Sequence, residues 1–436
     1  MTPSARCQAA IDILVAIEET TRAADSIMRR YFRARRYAGS GDRRAIQALV
    51  YIILRKRGQL DWWCQRVGIE ITSRSRVLVA LILCAPWETA SPEDAFLPGK
   101  YGPASLSQTE VAAIDGLRGA SLEHSAQPVS VSLNIPAWLE RQYCVEIKDN
   151  FEIEIKNLEC QAEVDLRVNT LKSNRGEVLS ELRNAGIEAI PTPWAPHGIR
   201  LEQRSPLTGL AAFRNGFFEP QGEASQLAAE LAGVEPGHSV LDLCAGAGGK
   251  ALAIAACMRN EGRLVLHDVD PARLRRAEER MQRAGVNIHE NQFSRTDVGL
   301  ENNSSKEKYD TVIIDAPCSG SGVWRRNPEA KWRLNEERLR EHTMQQHVLL
   351  KTGANAVRPG GRLVYMTCSI LAAENRDRIN EFRAMDGVNF ELIAPGKDWR
   401  RVTGQELDPV GAGLQLTPAR YGTDGFYVAI LQRRVG

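Results

Sequence analysis

From about residue 220 onward the chain alternates short apolar, β-branched runs with stretches of helical periodicity, and this alternation constrains the fold more than any other feature. "SVLDLCAG", "RLVLHDVD", "YDTVIIDAP", "GRLVYMTCS" and "GFYVAILQRR" read as strands. "KALAIAACMRN", residues 271–284 and residues 335–356 read as the helices between them, with a further helix starting near Ala373. Strands separated by helices imply an α/β domain built on a doubly wound, mostly parallel sheet, with ligands at the carboxyl ends of the strands.

A chain of 436 residues exceeds what one core organises. Residues 5–87 carry helical spacing without a strand pattern, residues 88–135 turn rich in Pro, Gly and Ser, and 136–215 mix strand and helix signals. The expected division is a helical domain over 1–130, a small α+β subdomain over 131–218 and the α/β domain over 219–436. Residues 1–76 hold fifteen Lys/Arg against seven Asp/Glu, an excess of eight concentrated in "RRYFRARRY". Arginine forks bind phosphates, and Tyr31, Phe32 and Tyr37 have faces that stack on bases, so this stretch reads as nucleic-acid contact or as a solvated helix face.

The nine cysteines are scattered, and the longest apolar run, "VLVALILCA", is far short of a membrane span. Asp12, Glu18 and Glu19 interrupt the first apolar stretch, so it does not read as a signal peptide. The expectation is a cytoplasmic protein with reduced thiols, no membrane partner and no bound metal, for which nothing demands more than a monomer.

"VLDLCAGAGGKA" sets Gly246, Gly248 and Gly249 between a buried strand and a helix. Glycines there admit a ligand close to the backbone, and the helix start offers free N–H groups. The spacing differs from that of dinucleotide folds, and Asp268 ends the next strand, where a carboxylate accepts from ribose hydroxyls. The pair suits a nucleoside ligand without pyrophosphate, such as S-adenosylmethionine; NAD and an empty tight turn are the competing readings.

"DAPCSG" and "TCS" each place a thiol, Cys318 and Cys368, beyond a strand. Those strands are expected to be neighbours about 4.8 Å apart, so both thiols reach one crevice. Buried structural cysteine is one alternative; a metal pair lacks a further His or Cys at ligand spacing, and a disulfide is disfavoured by the expected compartment.

The set "DLCAGAGGK", "HDVDPARL", "DAPCSGSGVWRRNPEAKW" and "TCSILAAEN" resembles the RNA cytosine-5 methyltransferases of the Sun class. The resemblance runs from about 130 to 436, and the start of the chain is similar to a NusB-like RNA-binding domain. It implies a Rossmann-like class I methyltransferase domain preceded by an RNA-binding subdomain, with ribosomal RNA, free or in a pre-ribosomal particle, as partner. It further implies Cys368 as nucleophile, Cys318 as the residue that assists product release, and Asp315 on the base edge. The implied cofactor contacts are Cys244, Ala245, Gly246, Ala247, Gly248, Gly249, Lys250, Asp268 and Asp315. Ala247 stands where the family usually has proline, and an acidic residue near the adenine is replaced by Ser294, with Asp297 three positions on. Pro317 sets the backbone before Cys318, and Gly320 and Gly322 are expected to leave room for an everted base. Trp324, Arg325, Arg326 and Lys331 form a loop suited either to flanking RNA or to plain surface structure. The same chemistry on tRNA, or a non-catalytic RNA-binding assembly factor, are the competing functions; the intact thiols, Asp315 and glycine loop argue against the second.

Overall fold

The computed structural model describes residues 1–84, 91–143, 150–287, 293–294, 308–407 and 411–435. It divides into two compact units, Met1–Glu159 with Arg326–Leu334, and Cys160–Arg325 with Asn335–Gly436. No helix among the described residues is long and apolar enough to cross a membrane.

The first unit is helical. Helix Pro3–Glu18 starts where Thr2 Oγ1 accepts from the Ala5 amide at 3.2 Å and proline occupies the first turn. Helices Ser40–Arg55 and Ser73–Leu83 pack beside it through Ile13, Ile17, Leu49, Ile53, Val77 and Leu81. Arg76, buried among them, is neutralised by Asp61 at 2.5 Å and by Glu18. Helices Ala137–Tyr143 and Phe151–Glu159 group with this unit.

Segment 326–334 belongs to this unit and corrects the reading of its loop. Lys331, 3% exposed, pairs with Glu159 Oε1 at 2.6 Å. Trp332 Nε1 donates to Leu54 O at 2.8 Å, and Glu329 Oε1 accepts from the Ala24 amide at 2.9 Å, capping a helix whose own N-cap, Ala23, has no acceptor. Lys331 is therefore an internal strut with no free ammonium for RNA. Lys331→Ala is expected to cost about 3 kcal/mol of stability by opening a buried pair, read by thermal or urea unfolding. The salt slope of RNA binding should stay at the wild-type value.

The arginines of the helix Ala24–Ala34 behave differently: Arg29, Arg30 and Arg33 are exposed, as is Arg36 beyond it. Of the three aromatics, Phe32 is buried and Tyr31 donates to Asp12 Oδ2 at 3.0 Å, which leaves Tyr37, 66% exposed, open for stacking.

The second unit holds two sheets. β1 (Val164–Val168), β2 (Ala189–Pro191), β3 (Gly198–Leu201) and β4 (Phe218–Pro220) form an antiparallel sheet in the order β2-β3-β1-β4. Helix Arg175–Asn184 crosses it, opened by an Asn174/Glu177 capping box and closed at Gly186, φ 73°. β4 was not expected from the sequence, because three residues ending in proline carry no alternation.

The larger sheet comprises β5 (Ser239–Asp242), β6 (Arg263–His267), β7 (Phe293–Ser294), β8 (Tyr309–Asp315), β9 (Val357–Thr367), β10 (Phe390–Ile393), β11 (Leu414–Leu416) and β12 (Phe426–Arg433). Its order is β10-β12-β9-β8-β5-β6-β7, with β11 beside β12. β7, β6, β5, β8 and β9 are parallel; β12 is reversed between β9 and β10, so β10 again runs in the direction of the parallel set. The chain leaves β5 for β6 on one side and reaches β8 on the other, which opens a crevice above the carboxyl ends of β5 and β8.

Candidate active site

β5 ends at Asp242, and the chain turns into helix Gly249–Cys257 through Gly246 and Gly248, at φ 54° and 77°. A Cβ on Gly248 would lie 2.9 Å from Ala277 Cβ, so the helix Pro271–Ala284 admits only glycine there. Three side chains hold the loop by its carbonyls: Arg280 Nη1 donates to Ala247 O at 2.6 Å, and Arg167 Nη1 and Gln221 Nε2 donate to Gly249 O at 3.0 and 3.3 Å. Asp268, just after β6, accepts from the Gly246 amide at 2.8 Å and from the Asp270 amide at 2.8 Å. Each of its oxygens retains lone-pair capacity for a ribose hydroxyl.

A cleft of about 590 Å³ opens here, lined by Cys244, Ala245, Gly246, Ala247, Gly249, Lys250, Asp268, Asp315 and Cys318, and by His342 and Gln345, which sequence reasoning missed. Gly248 packs on Ala277 beneath it. The volume, the glycine turn, the helix start and the half-committed Asp268 fit a nucleoside cofactor. Asp297 lies outside the described residues, as does the side chain of Ser294.

Lys250, 8% exposed, forms an ion pair with Asp315 at the end of β8, and its ammonium lies 4.8 Å from the Phe426 ring centroid. Asp242 is fully buried below. Burial first, then the Asp315 charge, pushes its carboxyl up to about 7, with Lys250 pulling the other way. The folded protein thus keeps a proton that the unfolded chain releases near pH 4, and stability falls as pH rises from about 4 to 7 and is level above. Asp242→Asn removes this component. The difference in urea stability between pH 5 and pH 8 is expected to change by about 2 kcal/mol relative to wild type; an unchanged difference would place the charge elsewhere.

β8 and β9 pair with Asp315 opposite Met366, so Cys318 and Cys368 leave adjacent strands at the same level. Their sulfurs lie 3.5 Å apart. The hydrogen bond to Cys368 is the largest cause that pushes the Cys318 thiol well above its ordinary value; burial and the Glu374 carboxylate add to it. Either sulfur can donate in this contact.

Pro317 O accepts from Gln346 Nε2 at 2.9 Å, which fixes the turn before Cys318. Gly322 does not leave room for a base. A Cβ on it would stand 2.0 Å from Gly425 O, and its amide donates to Cys368 O at 2.9 Å, so it serves close backbone packing between the two thiol turns. Gly320, at φ 65°, meets only Val323 at 3.5 Å and remains open. Trp324 and Arg325 are buried, and Arg325 pairs with Glu163 and with Asp424 at 3.3 Å, so neither faces RNA; Arg326 is half-buried.

The family described as 16S rRNA methyltransferase RsmB/F matches residues 229–432, and the RsmF/B-like ferredoxin-like domain matches residues 135–208. Ribosomal RNA small subunit methyltransferase B of Photorhabdus laumondii is 28% identical over 407 residues, covering 90% of this chain and 91% of that protein. A methyltransferase homolog from Pyrococcus horikoshii superposes with TM-score 0.59 at 25% identity, covering 70% of this chain and 97% of its own. NSun6 from Pyrococcus horikoshii, solved with SFG, shares the fold at TM-score 0.60 and 20% identity, covering 69% and 98%.

Proposed function

The chain belongs to the 16S rRNA methyltransferase RsmB/F family, and from that premise we propose that it methylates C5 of a cytosine in small-subunit ribosomal RNA through a covalent Cys368 adduct, with S-adenosylmethionine as methyl donor. The contact between Cys318 and Cys368, 3.5 Å between sulfurs above the cofactor cleft, is the observation that carries the reading.

Cytosine C5 is a weak nucleophile. Addition of the Cys368 thiolate to C6 forms a C–S bond and moves the ring electrons to C5 as an enamine. When bound, S-adenosylmethionine supplies the electrophilic methyl group that C5 takes up. Asp315 stands 34% exposed at the cleft and is held by Lys250, positioned to meet the N3/N4 edge of the base. The C5 proton then leaves to a base, its bonding pair restores the C5–C6 double bond, and Cys368 departs as thiolate. Cys318, 3.5 Å from that sulfur, is placed to donate to it and stabilise the negative charge as it forms. One thiol makes the bond, and the other helps to break it.

Arg29, Arg30, Arg33 and Arg36 are the residues proposed to contact RNA phosphates in the helical unit. Each is expected to lower the salt slope of binding by about one when replaced by alanine. The function is tested by incubating the protein and S-adenosylmethionine with small-subunit RNA and analysing nucleosides by mass spectrometry. The expected product is 5-methylcytidine. Methylation of another atom, or of tRNA alone, would remove the reading.

A further inference from the structure

Glu374 takes no part in the chemistry above, yet it is completely buried in the short helical turn Ala372–Glu374 and makes no ion pair among the described residues. Its carboxylate accepts four hydrogen bonds. Oε1 receives the Ser319 amide at 2.8 Å and Gln346 Nε2 at 3.2 Å; Oε2 receives the hydroxyls of Ser319 and Ser369, each at 2.5 Å. Ser319 follows Cys318, and Ser369 follows Cys368. A charged acceptor makes such bonds short and strong. The turn that carries Glu374 is itself fixed: Tyr365 Oη donates to Glu374 O at 2.7 Å, and Asn375 Nδ2 donates to Ser369 O at 2.9 Å.

We propose that Glu374 is a positioning residue of the two-thiol centre: its carboxylate ties the turn after Cys318 to the turn after Cys368 and so holds the two sulfurs in contact. Solvation is no reason for a carboxylate here, because burial without a cation opposes the charge. Hydrogen bonding alone would be met by a neutral side chain. A charge at this point, in contrast, also acts on Cys318, whose proton it helps to retain. Loosening the tie should spare the attack by Cys368 and impair its expulsion.

The proposal rests on Cys368 being the nucleophile, and the test separates the two. Wild type, Glu374→Gln and Glu374→Ala are each incubated with a small-subunit RNA transcript and S-adenosylmethionine. Turnover, the fraction of protein bound to RNA on a denaturing gel, and cofactor affinity are measured. Glu374→Ala is expected to turn over about 100-fold more slowly, with more trapped adduct and unchanged cofactor affinity. In Glu374→Gln the serine hydroxyls can turn to accept from the amide, so the tie persists and the loss is smaller, about 10-fold.

A Glu374→Ala protein with wild-type turnover and no added adduct overturns the proposal, as does a slow protein without adduct, which marks a merely structural role. If Glu374→Ala fails to fold, the double variant Ser319→Ala, Ser369→Ala removes two of the four bonds and is judged by the same rule. Wild type that yields no 5-methylcytidine overturns the functional reading and this proposal together.

Discussion

Cys368→Ala is expected to lose methyl transfer by about 10⁴-fold or more and to form no covalent complex with RNA, whereas Cys318→Ala should form a protein–RNA complex that survives denaturing electrophoresis. The asymmetry follows from the pair itself. The sulfurs are 3.5 Å apart, and the hydrogen bond and burial push the Cys318 thiol well above its ordinary value. With Cys368 as the proposed nucleophile, removal of Cys318 withdraws the neighbouring thiol proposed to assist the departing thiolate. Both variants should fold, since an alanine in place of either half-buried thiol removes a single atom. Calorimetric cofactor binding near the wild-type value checks that. An adduct on Cys368→Ala, with none on Cys318→Ala, would exchange the two roles.

The second large effect is expected at Lys250. Its buried ammonium is the partner of Asp315 and opposes the raised carboxyl of Asp242. Lys250→Met keeps the length and the contact with Phe426 but leaves two carboxyl groups facing each other at the end of β5 and β8. Asp315, proposed to meet the base edge, then loses its ion-pair partner. Turnover should fall by about 10²- to 10³-fold, the usual effect of losing one preorganised electrostatic group. Adduct formation should fall with it, because the damaged step precedes release. That separates Lys250→Met from Cys318→Ala on the same gel. Lys250→Arg should recover little, since a planar fork does not fit a site shaped around a compact ammonium.

Much of this site was legible in the sequence because its parts are local. Strand ends carry Asp268, Asp315, Cys318 and Cys368, and the β/α alternation dictates that such ends lie along the carboxyl edge of the sheet. The neighbouring positions of β8 and β9 followed from the same alternation, and the register of Asp315 with Met366 realises it. What was not legible depends on partners distant in sequence. "RRNPEAKW" reads as a basic loop, but Lys331 finds Glu159 and Arg325 finds Asp424, so its charges are internal. Gly322 reads as space for a ligand until Gly425 is seen against it. Glu374 stood in the quoted "TCSILAAEN" without a role, because only tertiary structure brings Ser319 to it. Asp242 looked like an ordinary strand residue, and its burial beside a second carboxylate appears only when β5 lies beside β8.

The most direct test of the chemistry uses RNA carrying tritium at C5 of its cytosines. Addition of Cys368 at C6 followed by methylation at C5 requires that hydrogen to leave, so tritium should appear in solvent in equal number to the methyl groups transferred. Cys318→Ala should release it slowly, in step with its slow turnover. Methyl transfer with the tritium fully retained would contradict the account, because the methyl group would then reside on another atom and no C5 proton would need to be removed.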